Sequence, residues 1–148
     1  MLMKKNAQSW PVLCLLEKQI KQVGRWETES WQWIGLELTP DLTIPNPYLQ
    51  LLELYKDERT DYRFNLSSKQ PKLFLALEFL DTNSAPKISH LTASQAAIAC
   101  YMDTDYLVLS IDMPLAIQAW MEAFIGRHGE LLEVRKKKRQ GAGRSNGN

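Results

Sequence analysis

Four side chains in this 148-residue sequence could act as soft metal ligands or nucleophiles: Cys14, His90, Cys100 and His128. A structural zinc would need all four, and its ligands usually come in short-spaced pairs. No Cys-x-x-Cys-like pair is present, so the spacing argues against a Cys/His metal site. Cys14 falls between Val12 and Leu16 on one side of an alternating apolar run, where a free cysteine behaves as a small hydrophobe. Cys100, beside Tyr101, reads the same way. His128 follows an apolar helical stripe and suits free helix carbonyls, while His90 beside Ser89 takes a structural role by default. There is no Gly-x-Ser-x-Gly elbow, and two histidines offer few bases for a nucleophile. Asp103-Thr104-Asp105 with Asp112 could hold Mg²⁺ through carboxylate oxygens. The competing reading is a helix-to-strand turn, where Asp bonds its own backbone, and we adopt it. Only Gly24 and Gly35 precede Gly126, so neither a dinucleotide turn nor a P-loop can be assembled. No catalytic residue, cofactor or metal is assigned.

Binding surfaces are better represented. Trp31 and Trp33, with Trp26 nearby, could form a platform for a partner or for bases, though a same-face pair on a strand is also ordinary packing across a sheet. Trp120 sits inside a helical stripe and reads as core. The run Arg135, Lys136, Lys137, Lys138 and Arg139 is the strongest local charge feature. It could touch nucleic acid, an anionic membrane or an acidic protein; lacking interleaved aromatics, it suits protein steering better than nucleic-acid readout.

The elements that must position these groups read as strands first and helices later. Val12, Cys14 and Leu16 alternate after Trp10-Pro11, and Trp31 and Trp33 share a face of a second extended segment. Tyr48 to Tyr55 is an apolar run after the loop Thr39 to Pro47, whose three prolines exclude a central strand. Tyr62, Phe64 and Leu66 alternate with Asp61, Arg63 and Asn65, which predicts a half-buried antiparallel strand. Lys56 to Thr60 would then be a hairpin connection. Leu73, Leu75, Leu77 and Phe79 give another strand, closed by a turn at Asp81 to Pro86. Thr92-Ala93-Ser94-Gln95 has capping-box spacing and predicts a short helix to about Met102. Tyr106 to Ile111 is a strand. Ile117, Trp120, Met121, Phe124 and Ile125 repeat at helical spacing, with Pro114 in the first turn and Gly126 or Gly129 as the closing residue. No internal repeat is present.

At 17.1 kDa, with 45% hydrophobic and 24% charged residues, the chain has the composition of one globular domain, neither collagen-like nor fully disordered. From Arg127 onward seven basic residues oppose two acidic ones, leaving eleven basic against fifteen acidic before it. We therefore expect a mildly acidic globular domain over 1–130 and a basic, disordered tail over 131–148. The apolar stretch Val12 to Leu16 is too short for a signal sequence, bulky Leu13 disfavours a lipoprotein site at Cys14, and no apolar run approaches a membrane span. The expected location is the cytoplasm. Two cysteines make no disulfide framework.

Several stretches resemble an uncharacterised bacterial family (domain of unknown function 3305), whose members are commonly encoded beside formate dehydrogenase and its accessory genes. They are Trp10-Pro11-Val12, Tyr62-Arg63-Phe64-Asn65-Leu66 through Gln70-Pro71-Lys72-Leu73-Phe74, Leu91-Thr92-Ala93-Ser94, Tyr101-Met102-Asp103, Met113-Pro114 and Ala119-Trp120. The region from Trp26 to Pro47 matches less well. No catalytic residue comes with the resemblance; what it implies is a gene context.

The expected fold is α+β: six to seven mainly antiparallel strands in a curved sheet or partly open barrel, with a short helix and a packed C-terminal amphipathic helix. The expected function is that of a non-catalytic cytoplasmic accessory protein that binds another protein. The resemblance implies a formate dehydrogenase subunit or maturation factor as that partner. Candidate contacts are Trp31, Trp33, Tyr62, Arg63, Asn65 and the basic run Arg135 to Arg139. Two alternatives stand beside it: a small-molecule or anion-binding domain, or minor enzyme, with a pocket in the curved sheet where Arg63 holds the anion, and nucleic-acid binding through the tail.

Overall fold

The computed structural model describes residues 4–81 and 84–130. In chain order they form β1 (Ser9–Val23), β2 (Trp26–Glu37), β3 (Leu49–Glu53), a 3₁₀ turn at Lys56–Glu58, α1 (Arg59–Leu66), β4 (Lys72–Glu78), β5 (Lys87–Thr92), α2 (Gln95–Ala99), β6 (Leu107–Asp112) and α3 (Leu115–His128). The fold is α+β. Its strands make two three-stranded antiparallel sheets, ordered β2-β1-β3 and β5-β4-β6, and not the single curved sheet expected. β2 lies beside β6, and β3 beside β5, without ladder pairing, so no barrel closes. The tail expected over 131–148 lies outside the described residues, as does part of the Asp81 to Pro86 turn.

Alternation explains the strands that face the core. Trp10, Val12 and Cys14 of β1 and Leu73, Leu75 and Leu77 of β4 are buried at period two. In β2 the register against β1 slips between Leu15 and Leu16, where Gly35 and Trp33 are successive partners. The extra residue, Ile34, forms a bulge that moves the inward set from Trp31 and Trp33 to Leu36. Both sheets supply one apolar cluster, completed by Tyr62 of α1 and Ile117, Met121, Phe124 and Ile125 of α3. Burying each such side chain is worth roughly 1.5–3 kcal/mol. Helix propensities differ by well under 1 kcal/mol per residue, so packing rather than propensity holds α3 in place.

The segment predicted as a strand at Tyr62 to Leu66 is helix α1, and the preceding charged stretch is a 3₁₀ turn rather than a hairpin connection. Its buried residues are Tyr62 and Asn65, three apart, while Phe64 is 69% exposed. The apparent alternation was therefore not a burial pattern. Helix α2 is shorter than expected, and its cap is Ser94, whose hydroxyl accepts from the Ala97 N–H at 3.1 Å. Thr92 instead accepts from the Ser94 N–H at 3.0 Å. Pro114 occupies the cap of α3 rather than its first turn.

Helix α3 ends at Gly129, whose φ of +84° favours glycine and whose N–H donates to the Ile125 carbonyl at 2.7 Å. Arg59 of α1 donates to the His128 and Gly129 carbonyls. A cation thus meets the negative end of the helix. Trp120 is half-buried and packs against the edge of the core cluster: its ring meets Trp10 edge-on at 5.4 Å and its Nε1 donates to the Asn6 carbonyl at 2.9 Å.

Candidate functional site

Strands β1 and β2 run past the core as a two-stranded arm. Their pairing continues to Val23 opposite Trp26, and every residue from Ile20 to Ser30 is exposed. The two-residue loop Gly24-Arg25 turns the chain, with Gly24 at φ +61°, the sign that hairpin turns matched to strand twist require. Directly opposed residues share a face. The outer face therefore carries Val23 and Trp26 at the tip, with Lys21 opposite Thr28. The inner face carries Ile20 opposite Glu29 and Lys18 opposite Trp31. Trp26, Val23 and Ile20 are 76, 59 and 57% exposed.

Beneath the arm, in the gap between β2 and β6, lies a groove of about 330 Å³ lined by Lys18, Glu29, Ser30, Trp31, Phe79 and Leu107 among others. Lys18 Nζ is 3.2 Å from Glu29 Oε1, both substantially exposed, a pair worth no more than about 1 kcal/mol. A second cleft of about 360 Å³ opens between β3 and β5 at Gln50, Glu53, Tyr55, Ser89 and His90. There the His90 ring stacks on Tyr101 at 5.6 Å.

The residues expected to touch a partner separate on burial. Trp31 is half-buried and lines the groove. Trp33, two residues on, is 7% exposed and fills the core; its Nε1 has no hydrogen-bond partner among the described residues. Tyr62 is fully buried: its hydroxyl accepts from the Tyr55 N–H at 2.9 Å and donates to Glu58 at 2.7 Å. Burial, then the Glu58 carboxylate, push that phenol well above its ordinary pKa. Asn65 is buried and bonded to the backbone of Lys72 and Ala93. Arg63 is half-buried, its fork spent on Glu122 at 2.8 and 2.9 Å and on Glu130 at 3.0 to 3.3 Å. Arg63 thus already holds two carboxylates of its own chain, which removes the basis for the anion site, and Tyr62, Asn65 and Trp33 serve the fold. Arg135, Lys136, Lys137, Lys138 and Arg139 lie outside the described residues.

The remaining chemistry is dispersed. Burial pushes the Cys14 thiol up to about 12, whereas Cys100 is exposed and not the buried hydrophobe expected. Asp112 pairs with Lys72 at 2.7 Å across β4 and β6, while Asp103 and Asp105 lie exposed in the turn before β6. Among the described residues no three His, Cys, Asp or Glu side chains gather where a metal could be held. No described helix is long and apolar enough to cross a membrane.

Sequence reasoning missed the length of the arm and the roles of Ile20, Val23, Phe79 and Leu107. The legible signal was Val23-Gly24-Arg25-Trp26, a glycine in a two-residue turn between β-formers.

No curated protein and no solved structure matches the chain. One family model does, that of a protein of unknown function (DUF3305), over residues 48–139. That span holds every element from β3 to α3, and the β1–β2 arm precedes it. With more than half of its length matched, the chain belongs to the DUF3305 family of proteins of unknown function.

Proposed function

We propose that this is a non-catalytic cytoplasmic accessory protein that binds another protein through the β1–β2 arm, in the maturation or assembly of formate dehydrogenase. The observation that carries the interaction reading is the arm itself, exposed from Ile20 to Ser30 with a tryptophan at its tip. A two-stranded ribbon is marginal alone, and this one gains little from burial in its own domain. Large apolar side chains grouped on such an element mark an interaction surface, and tryptophan is among the residues that most often dominate binding energy. The formate dehydrogenase part of the proposal rests on the sequence resemblance. The basic run adds steering toward acidic patches on that partner's surface.

The test is affinity capture from cells making formate dehydrogenase, with the eluate identified by mass spectrometry. Recovery of a formate dehydrogenase subunit or maturation factor, lost on Trp26→Ala, supports the proposal. Recovery of neither rejects it.

A further inference from the structure

Beside the groove under the arm is a smaller pocket of about 250 Å³, lined by Glu78, Phe79, Asp105 and Tyr106. We propose that it receives the Lys or Arg side chain of an extended basic peptide, whose neighbouring apolar side chain enters the groove. This deepens the reading that the partner is a protein by naming the chemistry of the segment bound.

The lining is two carboxylates and two aromatic rings. Carboxylates attract a cation, and ring faces add the attraction of their quadrupole, strongest where water is partly excluded. The wall is held in advance. Ser89 Oγ donates to Glu78 Oε1 at 3.4 Å, and the Tyr106 ring meets Tyr101 edge-on at 5.0 Å, which in turn stacks on His90. Among the described residues no cation lines this pocket; Lys87, opposite Glu78 on β5, is exposed and not part of the wall. Among the described residues the one cation lining the neighbouring groove, Lys18, is paired with Glu29.

Phe79 lines both hollows. Side chains two residues apart on an extended peptide point the same way roughly 7 Å apart, so one segment can fill both.

The probe is the peptide acetyl-Ser-Leu-Ser-Arg-Ser-amide, titrated by NMR to roughly 5 mM, a range in which millimolar affinity registers. Its control carries citrulline, the neutral isostere, in place of Arg. Saturable shifts with the Arg peptide are expected, weakened about tenfold or more by citrulline, by Phe79→Ala and by the double variant Glu78→Gln/Asp105→Asn. The double variant changes half-buried and exposed side chains, and its melting temperature confirms that it folds. No saturable shift with the wild type, or equal binding by the double variant, overturns the pocket. Trp26→Ala should bind the probe as the wild type does. A failed probe with successful partner capture therefore removes the pocket and leaves the arm; a bound probe with failed capture does the reverse.

Discussion

Replacing Asn65 by Ala should unfold the protein at a markedly lower temperature while leaving its exposed surfaces untouched. The Asn65 amide Nδ2 donates to the Lys72 carbonyl at 2.7 Å and the Ala93 carbonyl at 2.8 Å, and its Oδ1 accepts from the Lys72 N–H at 2.9 Å. One side chain thus ties the end of α1 to the start of β4 and to the segment after β5. Alanine leaves three backbone groups without that partner at a site 7% exposed. A typical hydrogen bond contributes about 1 kcal/mol net, and a buried group left unpaired costs about 1–3 kcal/mol. The expected loss is about 3 kcal/mol, which lowers Tm by roughly 10 °C for a domain of this size. Circular dichroism melts and urea titrations measure it directly. A residue serving only as a surface contact would change stability by about 0.5 kcal/mol or less. A Tm drop under about 2 °C would therefore refute the structural assignment of Asn65. Asn65→Asp should not rescue it, because a carboxylate would face two carbonyl oxygens.

Other outcomes follow from the same side chains. Arg63 holds the Glu122 carboxyl below its ordinary value of 4.5, so this pair stabilises at neutral pH and fades as pH falls through the lowered value. Arg63→Ala should cost on the order of 1 kcal/mol at pH 7, discounted for the pair's exposure, and the gap to wild type should close in acid. Equal gaps at pH 7 and in acid would contradict the network. A thiol reagent should label Cys100 rapidly in the native protein and Cys14 only after unfolding, because the Cys14 thiolate is suppressed by burial; two fast thiols would contradict that placement.

Where one face of an element was buried, its sequence could be read. Trp10, Val12 and Cys14, and likewise Leu73, Leu75 and Leu77, alternate because one side of each strand meets the core. Ile117, Met121, Phe124 and Ile125 fall on one side of α3 for the same reason. The reading failed at α1 because a polar residue, Asn65, takes a buried position while Phe64 is exposed. Hydrophobicity alone then mimicked a period of two. The length of the arm could not be read from alternation for the opposite reason: neither of its faces is buried from Ile20 to Ser30, so no alternation was imposed on it, and only the Gly24-Arg25 turn marked it. The split into two sheets depends on which strands pair across the chain, which local pattern does not encode. At the site, Trp31 was legible as an aromatic on a strand, but its separation from Trp33 depends on how deep each position sits. The burial of Tyr62 and the pairing of Arg63 depend on α3, some 60 residues away in sequence.

The central claim is that the exposed tip of the β1–β2 arm, and not the core beneath it, holds the partner. Affinity capture with the double variant Val23→Thr/Trp26→Ala beside the wild type tests it. Both side chains are more than half exposed, so the variant should melt with the wild type to within about 0.5 kcal/mol. The expected result is a formate dehydrogenase subunit or maturation factor recovered by the wild type and reduced at least about tenfold by the variant. Equal recovery by both proteins would contradict the account.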